Sequence, residues 1–253
     1  MSGRTACTNI NKSSSGIRRA YILRLIGRII ILIFCVCLWY FHPEEFDILE
    51  GAHFFDSFSP LHILWIIWII DMIHQLIPVK NHLPLGSQKL FLCRFKPIRE
   101  KINYPALREY VVSTTKAAYK VFILWVLLLT GIGVLYYSGV FTNTTLFMIT
   151  TIFYVCDLIC VLIWCPFRLI MKNRCCTTCR IFNWDHLMMF TPMMFNSSFY
   201  ARTLLLLSFA VFIVWELCVM MYPERFWEHS NEALKCSACT DKLCTQYCRK
   251  LRQ

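Results

Sequence analysis

The 253-residue chain is 57% hydrophobic and only 16% charged, with a mean hydropathy of +0.52. Soluble domains carry about 25% charged residues, so a soluble globular fold is excluded. The net charge of +11 does not indicate nucleic acid, because the basic residues cluster beside apolar runs, where the positive-inside bias and anionic lipid head groups place them.

Apolar runs of about 18 residues or more instead define an all-α polytopic transmembrane bundle in a lipid bilayer. Residues 1–17 read as a polar, mobile N-terminal tail, 18–222 as the bundle, and 223–253 as a Cys-rich C-terminal tail forming a small cytosolic cap.

Arg18, Arg19, Arg24 and Arg28 lead into the first apolar run, Ile29–Phe41. No small-residue cleavage site follows, so the sequence predicts a retained first span. Arg24 and Arg28 are expected to snorkel to cytosolic head groups. The following residues, His42–Ser59, hold Glu44, Glu45, Asp47, Glu50 and Asp56 but no Lys or Arg, which predicts an outside loop. Pro60 opens the second span, Leu61–Ile77. The segment 79–120 is dominated by Lys and Arg, which places it in the cytosol against anionic lipid. A third span follows at Val121–Tyr137, an outside turn at Ser138–Thr145, and a fourth span at Leu146–Met171.

The short run Ile181–Phe195 is the ambiguous element. Fifteen residues give about 22 Å of helix against a hydrocarbon core of about 30 Å, and the run contains Asp185, His186 and Pro192. If it crosses, the chain has six spans with both termini in the cytosol. If 181–200 is re-entrant, it has five and the tail faces outward. Leu204–Met221 is the last span. The bundle is assigned to the cell membrane with its N-terminus inside, and the six-span arrangement puts the C-terminus inside as well.

Two cysteine groups carry metal-ligand spacing. The tail reads C-x2-C-x4-C-x3-C through Cys236, Cys239, Cys244 and Cys248, and Cys175, Cys176 and Cys179 add a second C-x2-C. Two thiolates on one turn can share an ion, and an S4 set suits zinc or an iron–sulfur cluster; the spacing leaves the two undecided. Reduced structural thiols and, on an outward tail, disulfides are the alternatives.

Asp71 and Asp157 form a different signal. Each lies eleven residues into its predicted span, about 16 Å below the outer face. Intramembrane carboxylates are costly unless paired or wetted, so they mark pathways or sites by default. His74 shares a helical face with Asp71. Asn183 or Asp185 is read as a helix cap, the methionines of 188–194 as packing, and Glu216 as lying near the inner head groups.

The leading expectation is a membrane protein with a thiolate-bound metal or iron–sulfur centre used in redox or electron transfer, with a redox partner or a second copy of the chain as its associates. The alternatives are a small ion or proton-coupled transporter using Asp71, His74 and Asp157 with a structural zinc site, or a non-catalytic membrane scaffold. No Gly-rich phosphate loop and no Ser/His/Asp ordering is found, so the sequence yields no reaction class.

Overall fold

A computed structural model describes residues 14–77, 91–92, 95–98, 102–173 and 178–235. Cys175, Cys176, Cys236, Cys239, Cys244 and Cys248 lie outside the described residues, as do residues 1–13 and much of the basic segment. The described chain is helical, with α1 Ser14–Phe41, α2 Pro60–Leu76, α3 Tyr104–Tyr137, α4 Asn143–Leu162, α5 Phe167–Met171, α6 Asp185–Phe190 and α7 Phe199–Met221. Four of these are long and apolar enough to cross a membrane: Arg18–Phe41 within α1, then α3, α4 and α7. The apolar α2 is 17 residues long.

Local chemistry sets the helix starts. Ser59 caps α2 in a capping box with His62, and Pro60 supplies the first helical position, where a missing N–H costs nothing. Side chains of Asn103, Thr142 and Ser198 accept from the first turns of α3, α4 and α7. Gly139, at φ +79, makes the tight turn between α3 and α4. The fourth predicted span ends early. Helix α4 stops at Leu162, short of Pro166, and the rest is a turn and the five-residue α5.

The bundle has an acidic end and a basic end. At the acidic end, 3-10 turns at Pro43–Leu49 and His53–Phe55 bury Phe46, Ile48, Leu49 and Phe54 beneath an acidic surface. Glu44 there is held below the usual carboxylate range by its backbone hydrogen bond and by the His42 side chain. Trp68 and Tyr200, both fully buried, anchor the core below this loop. Trp68 meets Phe147, Tyr154, Phe190 and Tyr200 at ring separations of 5.2–6.4 Å, the spacing of favourable aromatic pairs. The outer faces of α1 and α3 carry exposed Ile30, Ile33, Ile123 and Leu127, the surface a lipid-facing helix presents.

The segment between α5 and α7 is a broken helix inside the bundle. Near its start, Ile181 and Trp184 pack with Val121, Met171, Trp215 and Phe226 at the basic end. Met189, Phe190 and Met193 lie in the main core. At its finish, the Asn196 side-chain amide donates to the Leu49 carbonyl at 3.0 Å, in the acidic-end loop. Phe195 stacks on Tyr136 and lies over Gly133, where a Cβ would come within 2.7 Å of its ring. Six α-helical residues followed by a five-residue 3-10 stretch at Thr191–Phe195 rise about 19 Å. Helices α2, α3, α4 and α7 surround the segment, so its broken backbone is enclosed by protein.

The basic end also holds the start of the C-terminal tail. Lys96 accepts from Glu232 N at 2.8 Å and donates to the Asn231 side chain at 3.2 Å. Tyr110 donates to the Phe226 carbonyl at 3.3 Å. Cys179 packs into the same apolar cluster as Phe226.

Candidate functional site: a buried charge cluster

The sequence places Arg28 at the head groups, but the structure places it inside. Helix α1 continues N-terminally to Ser14, so Arg28 falls in mid-helix, about 20 Å from Phe41 by helical rise. It is 9% exposed and faces α4. Its Nη1 donates to Asp157 Oδ2 at 2.7 Å and to the Tyr154 carbonyl at 2.6 Å. Its Nη2 reaches Asp71 Oδ2 at 3.5 Å. The guanidinium carbon sits 3.9 Å from the Tyr154 ring centroid, in cation–π contact. Arg28 thus joins the two carboxylates that the sequence singled out. A cation lies between them.

His74 is not part of this arrangement. It is half-buried and, although one turn from Asp71 on α2, makes no hydrogen bond to it. The next residue, Gln75, turns inward instead and is buried. Its Nε2 donates to Asp185 Oδ2 at 3.1 Å and contacts His186 Nδ1 at 2.9 Å. The Asp185 carboxylate accepts from the His186 backbone N–H at 2.9 Å and lies 3.2 Å from His186 Nδ1. Asp185 therefore serves the interior and makes no side-chain cap at the start of α6. His186 is held by Gln75 and Asp185, and its Nε2 is buried with no partner among the described residues.

These two groups form one electrostatic unit. Asp157 lies within Coulombic reach of Asp185 and His186, and Asp71 of His186. Asp157 and Asp185 also line a common cavity of about 260 Å³, whose other walls include Trp125, Phe153, Met188 and Met189. Three part-buried carboxylates, with side chains 34% (Asp71), 20% (Asp157) and 17% (Asp185) exposed, thus share one guanidinium and one imidazole. Even with the imidazole protonated, one negative charge is in excess, and excess charge inside a bundle is disfavoured. The cluster is neutral only when it takes up a further proton or a small cation.

A second ion pair lies nearer the basic end. Arg180 donates to both oxygens of Glu216, at 2.7 and 2.6 Å, and Trp184 Nε1 donates to Glu216 at 2.7 Å. Trp215 Nε1 fixes the Arg180 carbonyl at 3.2 Å. Glu216, expected at the head groups, is thereby tied to the broken segment.

Of the seven predicted metal-ligating cysteines, Cys179 alone is described, and it lines the cavity beside Asp185. Among the described residues no group of three or more His, Cys, Asp or Glu side chains is placed to hold a metal ion. Sequence reasoning missed Arg28, Gln75, Asp185 and His186 as members of the cluster. For Arg28 the available signal was the run of helix-forming residues from Ile17 to Ile26, interrupted before Arg28 only by Gly27, with no proline; for the others there was none beyond a polar residue in an apolar run.

The class that these observations define is a helical, multi-pass membrane protein with ionisable groups gathered inside its bundle. Comparisons with protein-family models, with curated proteins and with solved structures found no match.

Proposed function

We propose that the protein is a small proton-coupled or cation-coupled membrane transporter, with the cluster of Arg28, Asp71, Asp157, Asp185 and His186 as its binding and relay site. The observation that carries this reading is the imbalance of three part-buried carboxylates, two of them at the wall of a cavity, against one guanidinium and one imidazole. Such a site loads and unloads a positive charge as its surroundings alternate. Six crossings complete the architecture. The broken segment runs from contacts at the basic end to contacts at the acidic end, and discontinuous helices are a recurrent feature of transporter sites. The basic end then faces the cytosol under the positive-inside bias.

Proteoliposomes with an entrapped pH dye test this reading. The wild-type protein is expected to dissipate an imposed pH gradient. Asp157→Asn, which keeps the hydrogen bond to Arg28 but removes the titrating group, is expected to lower the flux by about two orders of magnitude. Unchanged flux in the folded, reconstituted variant refutes the relay.

A thiolate-bound zinc or iron–sulfur centre in the tail is a second proposal. It rests on the C-x2-C-x4-C-x3-C spacing of residues 236–248 and gains from Cys179 and Lys235, which immediately precedes Cys236, both lying at the basic end. Anaerobically purified protein is expected to carry stoichiometric zinc, or iron with sulfide, that Cys239→Ser removes. Metal content that is unchanged by the substitution rejects those ligands.

A further inference from the structure

Helices α3 and α7 each pack on the broken segment and make little contact with one another. A cleft of about 430 Å³ lies between them, floored by Trp184, Leu187 and Thr191. Small-molecule sites usually hold about 300–1,000 Å³. Phe122 and Val126 of α3 and Phe209 of α7 line the cleft while remaining exposed on the outer surface of the bundle. In a membrane protein that surface meets lipid, so the cleft opens sideways into the bilayer. It shares only Trp125 and Met188 with the Asp157–Asp185 cavity and takes in none of that cluster's ionisable groups.

One buried donor at this cleft has no acceptor. Arg180 lines it beside Glu216, and its side chain is 9% exposed. Both terminal nitrogens are taken by Glu216, but the Nε–H meets no acceptor among the described residues. A buried donor left unpaired is costly, so the cleft suits an occupant with an oxygen at this point. Glu216 already neutralises the guanidinium, which favours an uncharged acceptor such as an ester carbonyl. Toward the basic end the α3 wall changes character. Arg108 and Lys116 line an exposed hollow there and outnumber its one acid, Glu109. Lys116 lies two residues before Ala118, which packs with Ile181 and Trp184, so it stands close to the level of Arg180. From Thr115 to Leu129 the cleft follows α3 for about 21 Å, more than one leaflet's share of a core about 30 Å thick.

We propose that this cleft binds an anionic phospholipid from the leaflet at the basic end. One acyl chain lies between α3 and α7 against Phe122, Val126 and Phe209. Its ester carbonyl accepts from Arg180 Nε, and the phosphate meets Lys116. Basic pockets between membrane helices recognise acidic head groups by the same charge complementarity. The bound chain closes the gap that the two helices leave over the broken segment. The site does not depend on the transport reading, since it uses none of the groups assigned to the relay.

The test uses the full chain in detergent, with dioleoylphosphatidylglycerol as the probe and native mass spectrometry to count bound lipid. One phosphatidylglycerol is expected on each chain, with dioleoylphosphatidylcholine about fivefold weaker, the attraction of one surface cation for a head group's net charge. Lys116→Gln is expected to erase that preference. The dialkyl ether analogue of the probe, which lacks the ester carbonyl, is expected to bind about tenfold more weakly to the wild-type protein. Val126→Trp fills the cleft from its lipid-facing side and is expected to abolish retention, with thermal unfolding checking that the bundle persists. Equal retention of phosphatidylcholine overturns the head-group assignment, and an ether analogue that binds as tightly overturns the contact with Arg180. Phosphatidylglycerol that stays on Val126→Trp, or a dimer mass that forms in its place on the wild-type chain, overturns the lipid site itself.

Discussion

Replacing Arg28 by methionine is expected to destabilise the bundle by about 3–5 kcal/mol, the range for removing one partner of a buried ion pair. The loss comes mainly from Asp157. That carboxylate sits 2.7 Å from the guanidinium with only 20% of its side chain exposed, and it would be left without its cation. Asp71 is 3.5 Å away and 34% exposed, so its pairing is looser and better screened and its share is under about 1 kcal/mol. Asp157→Asn is therefore expected to cost more than Asp71→Asn. The double variant Arg28→Met with Asp157→Asn should cost less than the sum of its parts, since each single change leaves a charge that the other removes. Thermal unfolding in detergent, followed by the reactivity of Cys35, which is 1% exposed, measures all four proteins. Additive losses would show that the two side chains do not depend on one another.

Glu216→Ala is expected to cost about 3 kcal/mol, through the same physics at a different place. The carboxylate accepts both terminal nitrogens of Arg180 and the Trp184 indole. Its removal leaves the Arg180 guanidinium, with 9% side-chain exposure, buried without its counter-charge and the indole N–H without an acceptor. Glu216→Gln retains one acceptor oxygen and should lose roughly half as much. Because Arg180 and Trp184 flank the start of the broken segment, the same variants should raise thiol reactivity at Cys179, which packs beside them. Wild-type melting and reactivity in Glu216→Ala would mean that this pair does not fasten the segment to α7.

The contrast between Arg28 and Asp157 shows what could be read from the chain. An aspartate eleven residues inside an apolar run has no polar neighbour along the chain, so Asp71 and Asp157 were legible from spacing alone as groups that need a partner. Arg28 follows three other arginines at the edge of its apolar run, and an edge arginine has a cheap alternative in snorkelling. Sequence therefore favours the surface, and its neighbours on α4 reverse that choice. Asp185 met the same difficulty. A carboxylate at the start of an apolar run fits a helix cap, and only the arrival of Gln75 from α2, 110 residues earlier, gives it an interior role.

The sequence by itself determined that this is a helical membrane protein, with an acidic loop at one end and a basic segment at the other. Hydropathy and charge bias act over windows of about 20 residues, so they are carried by neighbours along the chain. Only the tertiary structure decided which ionisable groups meet. Arg28 finds Asp71 and Asp157 at separations of 43 and 129 residues, and the cost of desolvating each is offset by a partner that no local window contains.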